Sequence, residues 1–170
     1  DDCAPKASTV RFGFKARGDR GPVTLTWYDG GRLPPADKMP SKKDLADMRD
    51  PKHGGFMLIG EEGMLYSPTD YGERFSLFPS DKFADYQRPE YVRSPGIYEE
   101  WFEGIFSGKQ PTANFEYAAP FTEAMLLGNV ALRTGQRIEY DPATGIVKDC
   151  PEAEVLLRKP YRRGFELPSV

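Results

Sequence analysis

The chain has 170 residues, which is enough for one domain with a hydrophobic core. Hydrophobic residues make up 39% and charged residues 29%, a balance typical of a globular protein in water. The net charge is −3 at pH 7 and no basic patch stands out, so no nucleic acid is expected as a partner. No membrane span or signal peptide is recognisable, so no membrane partner is expected, and the compartment stays open between the cytoplasm and export.

The residue types that carry most enzyme chemistry are scarce. Cys3 and Cys150 are the only cysteines, too few for a disulfide scaffold or a zinc site, and they predict two free thiols. The single histidine, His53, lies beside two glycines and is predicted to be a solvated loop residue rather than a catalyst. The chain has no G-x-G-x-x-G, P-loop, G-x-S-x-G or H-E-x-x-H motif, so the sequence predicts no cofactor and no metal in this chain.

The chain opens with an alternating pattern. Residues 9–16 and Val23–Tyr28 alternate between apolar and polar side chains on either side of a turn cluster. This pattern predicts a half-buried antiparallel hairpin that ends at Asp29-Gly30-Gly31. Further along, residues 41–50 predict a short exposed helix with Ser41 as its N-cap.

A second group of strands follows. Residues 55–59 are apolar and bounded by glycines, and residues 64–66 return after a tight turn at Glu61-Glu62-Gly63. Residues 75–78 predict one more short strand. These segments indicate a second hairpin with an added strand before the helical half of the chain begins.

Helical spacing begins after Ser94-Pro95, an N-cap residue followed by proline at the first helical position. Apolar residues then recur on one face as far as Gly108, the predicted stop. The apolar set is Ile97, Trp101, Phe102, Ile105 and Phe106. Glu99, Glu100 and Glu103 take the other face and are predicted to be solvated there.

The central helix is predicted within residues 117–140, the longest stretch without a turn cluster. Between residues 121 and 134 almost every side chain is apolar or small, so the helix is expected to be buried on more than one side. Pro120 fits its first turn, and Gly135 fits a left-handed end. Residues 138–140 follow at once as a short strand.

Two short elements complete the chain. Residues 146–147 are predicted to pair back on the preceding strand, and Pro151 opens a last helix. Strands thus come first and helices later, which predicts the α+β class: a mainly antiparallel open sheet with helices packed on one face. Residues 1–170 are expected to form a single domain.

Several side chains leave a structural and a functional interpretation open. Glu123 lies early in the apolar central helix, where it either complements the helix dipole or belongs to a buried ion pair or a site. Asn129 in the same helix makes either a structural hydrogen bond or a ligand contact. The pairs Trp27-Tyr28 and Trp101-Phe102 belong to a core or an interface, or they line a sugar-binding surface.

Four blocks of the sequence resemble one family in their order and spacing. The first two are LTWYDGG at residues 25–31 and the spacing G-x-x-x-x-G-x-x-G-x-L at residues 55–65. The third is R-S-P-G at residues 93–96 followed by Glu100-Trp101, and the fourth, residues 114–129, leads into RTGQRIEYDPATG. Together they resemble the C-terminal domain, of the bacterial type, of the Gfo/Idh/MocA oxidoreductases, over nearly the whole chain.

The resemblance implies a domain that shapes a substrate pocket and mediates oligomerisation in a two-domain, NAD- or NADP-dependent oxidoreductase of sugars or polyols. The family's Rossmann domain, its E-K-P lysine and its Asp and His pair have no counterpart here, so the chain is not expected to be catalytic alone. The implied partners are the Rossmann domain of a parent chain, a sugar or polyol, and a second copy bound through the sheet. The implied substrate-binding residues are Arg93, Tyr98, Asn114 and Glu123.

One position departs from the family pattern. A histidine commonly follows S-P-G in that family, whereas Ile97 and Tyr98 stand here, which weakens an acid–base role for this helix start. Two other functions therefore stay open: a stand-alone module that binds carbohydrate on exposed rings, and a purely structural module that only self-associates.

Overall fold

The structure, a computed structural model, describes residues 3–41, 43–45 and 54–166. The chain divides into two units. The first contains the described residues of Asp1–Leu33 and Ser94–Val170, and the second contains those of Pro34–Arg93. His53 lies outside the described residues, as does most of the helix predicted at residues 41–50.

The fold class is α+β, as the sequence predicts. In the described part of the chain, three α-helices accompany seven strands, and every strand pair is antiparallel. The strands form three small open sheets rather than one. A sheet of two strands is marginally stable alone. The two two-stranded sheets therefore depend on the helices packed against them, the central helix on the first strand and the last helix on the last strand.

The first hairpin consists of β1 (Thr9–Phe14) and β2 (Val23–Tyr28). Its register places Val10 opposite Trp27 and Phe12 opposite Leu25, so the apolar side chains share one face. β1 ends two residues before the predicted strand does, because Arg17 and Arg20 exchange backbone hydrogen bonds and close the turn.

The central helix, α2 (Phe115–Thr134), packs across this hairpin. Its contact is close because Gly128 lacks a side chain: a Cβ there would lie 2.7 Å from the Phe12 ring. The prediction that Pro120 lies in the first turn is wrong, since the helix begins five residues earlier. Asn114 caps that start by accepting the backbone N–H of Tyr117 at 3.0 Å, so the helix forms ahead of the proline.

The predicted burial of α2 holds only in part. The helix contacts both β1 and the last helix, α3 (Pro151–Leu157), which is burial on two sides. Five of its large hydrophobic side chains are nevertheless exposed, because neither neighbour reaches them; these are Phe115, Tyr117, Phe121, Leu126 and Leu132.

The best-packed core of the first unit lies where α2 meets the last hairpin and α3. β6 (Glu139–Asp141) and β7 (Ile146–Lys148) form a short hairpin at the predicted place. Its core residues are Val130, Val147, Cys150 and Ala153. The prediction of two free thiols is confirmed, since Cys3 is exposed and Cys150 is buried among these apolar neighbours.

The remaining helix of this unit is α1 (Ile97–Ser107). It begins two residues after the predicted Pro95, with Gly96 as its N-cap at φ +134°, and it ends at Gly108 as predicted. Ser94 is therefore not the cap residue, although its hydroxyl oxygen accepts the Gly96 N–H at 3.1 Å.

The second unit is built on β3 (Phe56–Ile59), β4 (Met64–Ser67) and β5 (Ser76–Phe78), in that order in the sheet. This agrees with the predicted hairpin and added strand. Gly63 permits the close turn, because a Cβ there would lie 2.3 Å from the Phe78 carbonyl oxygen. The predicted cap at Ser41 is also formed, since its hydroxyl oxygen accepts the Asp44 N–H at 3.2 Å.

Candidate functional site

The end of the first hairpin is fixed by one carboxylate. Asp29 accepts hydrogen bonds from the backbone N–H of Ser8 and from the Ser8 hydroxyl, the latter at 2.7 Å. These bonds from Ser8 hold the pKa of the Asp29 carboxyl group below its ordinary value. Because Ser8 is buried, the pair ties the start of β1 to the end of β2.

An exposed tryptophan ring is held beside this carboxylate. The indole N–H of Trp27 donates to Asp29 at 3.2 Å, while the residue remains 56% exposed. Arg32 lies on the same end of the hairpin and donates to the Thr9 hydroxyl oxygen at 3.3 Å. An exposed ring whose N–H is held by a carboxylate has an apolar face that a sugar ring could stack on.

The polar side of α1 is bound by the loop that follows the helix. Glu100 is only 9% exposed, and its Oε2 accepts the backbone N–H of Thr112 at 2.8 Å and the Thr112 hydroxyl at 2.6 Å. The hydroxyl of Ser94 and these two bonds from Thr112 lower the pKa of the Glu100 carboxyl group. The prediction of a solvated Glu100 is therefore wrong, because the loop after the helix folds back over it.

Two small features let that loop approach. Gly104 lies one turn after Glu100, and a Cβ there would be 3.1 Å from the Lys109 carbonyl oxygen and 3.5 Å from Pro111. Lys109 also pairs with Glu103 at 3.2 Å. The signal was present in the sequence as a glutamate and a glycine four residues apart on one helix face.

An open cleft of about 460 Å³ lies between α1 and this loop. Its walls combine Trp101 and Ile105 with polar groups of the loop and of the first turn of α2. The full lining is Trp101, Gly104, Ile105, Gly108, Lys109, Gln110, Pro111 and Glu116. Pockets of this size accommodate small ligands or an inserted side chain.

The four predicted substrate-binding residues have different surroundings. Tyr98 is 71% exposed on the first turn of α1, and Arg93 is exposed at the end of the second unit. Asn114 is engaged at the start of α2, where its Oδ1 caps Tyr117 and its Nδ2 donates to the Pro111 carbonyl at 3.0 Å. These contacts give Asn114 a structural role whether or not it also meets a ligand.

Glu123 is engaged as well. Its carboxylate accepts a hydrogen bond from the hydroxyl of Tyr140, which joins α2 to β6. That hydrogen bond, followed by partial burial, raises the pKa of Tyr140 to about 12. Glu123 is exposed, so the buried ion pair considered from the sequence is not formed, and Asn129 is exposed on the same helix.

Two further findings bear on the kind of site. Among residues 3–41, 43–45 and 54–166, no cluster of three or more His, Cys, Asp or Glu side chains is arranged to hold a metal ion. In that same part of the chain no helix is long and apolar enough to cross a membrane.

Comparison with known proteins gives no match: no family model, curated protein or solved structure corresponds to this chain. The resemblance to the Gfo/Idh/MocA C-terminal domain therefore stays a prediction from the sequence.

Proposed function

We propose that this chain is the substrate-side domain of an NAD- or NADP-dependent oxidoreductase of sugars or polyols, and that it self-associates. In this proposal the chain transfers no hydride alone. The Rossmann domain of a parent chain supplies the nucleotide and the proton-transfer groups. The order and spacing of the four sequence blocks support the enzyme class.

One observation carries the proposal: the helix α1 turns its apolar side outward. The loop at residues 109–112 holds its polar side, and among the described residues of its unit no other helix or strand packs on it. An isolated helix of 11 residues is marginal in water, so α1 needs a covering surface. A domain that works only when docked on other protein surfaces fits this geometry best.

The substrate side of the proposed enzyme rests on the exposed polar groups. Tyr98 offers a phenol that stacks on a sugar ring or hydrogen-bonds a hydroxyl group. Arg93 offers a planar fork of donors that suits hydroxyl-rich or acidic substrates. Asn114 and Glu123 already have partners within the chain, so we assign them a structural role at α2, where Asn114 caps the helix and Glu123 joins it to β6.

A direct assay tests this proposal. The chain is incubated with NAD⁺ or NADP⁺ and a panel of polyols while nicotinamide absorbance is followed, and no turnover is expected. Polyol binding is measured in parallel by calorimetry. Tyr98→Ala is expected to weaken it, whereas Tyr71→Ala, which changes an even more exposed tyrosine of the second unit, is expected to leave it unchanged. Unaided turnover by the isolated chain would contradict the proposal.

The exposed ring of Trp27 favours a second candidate, a stand-alone carbohydrate-binding module. Its indole N–H is anchored on Asp29, so the ring is presented in a fixed orientation at little entropic cost. A glycan-binding screen on the folded chain tests it, with Trp27→Ala as the comparison. Absence of any signal from the folded chain would remove this candidate.

A further inference from the structure

We infer that α1 is a self-complementary surface through which two copies of this chain pair side by side, with their α1 helices parallel. The inference rests on the self-association assigned under the proposed function. It names α1, in addition to the sheet, as a surface that meets the second copy.

The apolar face of α1 is large enough to contribute most of such an interface. Three aromatic residues of the helix are between 52% and 85% exposed: Trp101, Phe102 and Phe106. Since each aromatic residue can bury about 150–250 Å², together they leave roughly 400 Å² to be covered. A stable interface takes about 800 Å² from each partner, and Ile97 and Ile105 on the same face supply part of the remainder.

The shape of this surface points to a second copy as the occupant. Phe106 is 85% exposed and projects as a knob, and the cleft of about 460 Å³ beside Trp101 is open to receive one. A surface that carries both a knob and a matching cleft can satisfy itself across a twofold axis, where each contact occurs twice. An unrelated partner would have to supply both features separately.

Helical geometry decides the direction of the pair. At 3.6 residues per turn, Trp101 and Phe106 point about 140° apart, on opposite edges of the apolar face. Phe106 lies about 7.5 Å beyond Trp101 along the helix axis, within the length of the cleft, whose lining on α1 runs from Trp101 to Gly108. A twofold axis parallel to α1 then brings each Phe106 opposite the other copy's cleft. An axis perpendicular to the helix brings knob against knob, so the parallel arrangement is the one that fits.

The centre of the face gives a second, independent test. Ile105 points between the directions of Trp101 and Phe106, near the middle of the apolar face. In a parallel pair, this position therefore meets its own equivalent at the axis. In an antiparallel pair in which the two helices overlap along their full length, the two copies of Ile105 lie about 9 Å apart along the helix axis.

The first experiment measures mass by sedimentation or light scattering as a function of concentration. We expect the wild-type chain to approach twice its 19.1 kDa. Phe106→Glu should weaken pairing by about tenfold or more, because it replaces the ring that packs on Trp101 and Ile105 with a charge and brings that charge close to Glu116 in the cleft. Tyr71→Glu is the matched control: it changes an aromatic residue of 87% exposure in the second unit and should leave pairing unchanged. Circular dichroism checks that both variants fold.

The second experiment is disulfide trapping in a Cys3→Ser background, which removes the exposed native thiol. Mild oxidation of Ile105→Cys should give a covalent dimer, whereas Ser107→Cys, on the opposite side of α1, should not. A chain that stays monomeric at high concentration, a Phe106→Glu dimer as tight as the wild type, or no trapping through Ile105→Cys would each overturn the inference. None of these results depends on hydride transfer. The enzyme class is tested separately by the turnover assay described above.

Discussion

Thr112 donates two hydrogen bonds to one oxygen of Glu100. Its backbone N–H and its hydroxyl both donate to Glu100 Oε2, at 2.8 and 2.6 Å. This relationship clamps the loop after α1 onto the polar side of the helix. It also explains why the apolar side of α1 faces outward. The loop that follows a short helix can cover only one side of it, and here it covers the polar side.

Removing the charge of Glu100 should weaken this clamp. The pKa of Glu100 is lowered in the folded chain, so its stabilising effect is present above its ordinary value of 4.5 and is lost as pH falls below that value. We expect Glu100→Gln to lower the free energy of unfolding at neutral pH and to flatten its decline in acid. Urea titrations at neutral and acidic pH measure both effects. Glu99→Gln removes an exposed charge from the same turn and should leave the acid slope as in the wild type.

Gly30 should tolerate a side chain far less well than its neighbour Gly31. Both have positive φ, +60° and +85°, and an alanine in such a conformation costs about 1–2 kcal/mol. Only at Gly30 would the new Cβ meet backbone, lying 2.1 Å from the Lys6 carbonyl oxygen. We expect Gly30→Ala to lower the free energy of unfolding by a further 1–3 kcal/mol or so beyond Gly31→Ala. Equal losses in denaturant titrations would contradict the close approach of the two chain segments.

Gly128→Ala should destabilise the packing of α2 on β1. Alanine favours a helix over glycine by about 0.5–1 kcal/mol, but overpacking costs about 1–3 kcal/mol, so a net loss of roughly 0.5–2 kcal/mol is expected. The clash is with the Phe12 ring, 2.7 Å from the new Cβ. Adding Phe12→Leu should therefore recover part of the loss. A double-mutant cycle in urea measures the coupling, and additive effects would argue against this contact.

The Tyr140 hydroxyl should lose its proton at an unusually high pH because of Glu123. The hydrogen bond to the Glu123 carboxylate raises the pKa of Tyr140 from 10.0 to about 12. The stability from this contact is therefore complete below pH 10.0 and is lost as pH rises through about 12. We expect Glu123→Gln to move the pKa of Tyr140 back towards 10.0, whereas Glu116→Gln, another exposed glutamate of α2, should not. The measurement is the phenolate absorbance, with Tyr140→Phe subtracted from each background.

The strands were largely predictable from the sequence, as was the start of α3 at Pro151, whereas the starts of α1 and α2 were not. Val23–Tyr28 was placed without error because strict alternation and a turn cluster on one side leave little freedom. The sequence predicts the wrong start for α2 because Pro120 is a strong signal for the first turn of a helix. The true cap, Asn114, is a weaker signal, since asparagine side chains accept backbone N–H groups in many loops as well as at helix starts.

The candidate site was less predictable than the fold. Periodicity identified the apolar and polar faces of α1 but assumed that the apolar face is the buried one. The structure places the loop at residues 109–112 on the polar face, and a contact between segments about 12 residues apart leaves no periodic signal. For the same reason, periodicity gives no sign of the hydrogen bond between Tyr140 and Glu123, which lie 17 residues apart in the chain.

Under the proposed function, this chain is one domain of a larger oxidoreductase. The most direct test is the mass of the native polypeptide in its source cells, detected with an antibody raised against this chain. We expect a product larger than 19.1 kDa by the size of a nucleotide-binding domain. A product of 19.1 kDa would contradict the claim and would move the stand-alone carbohydrate-binding module to first place.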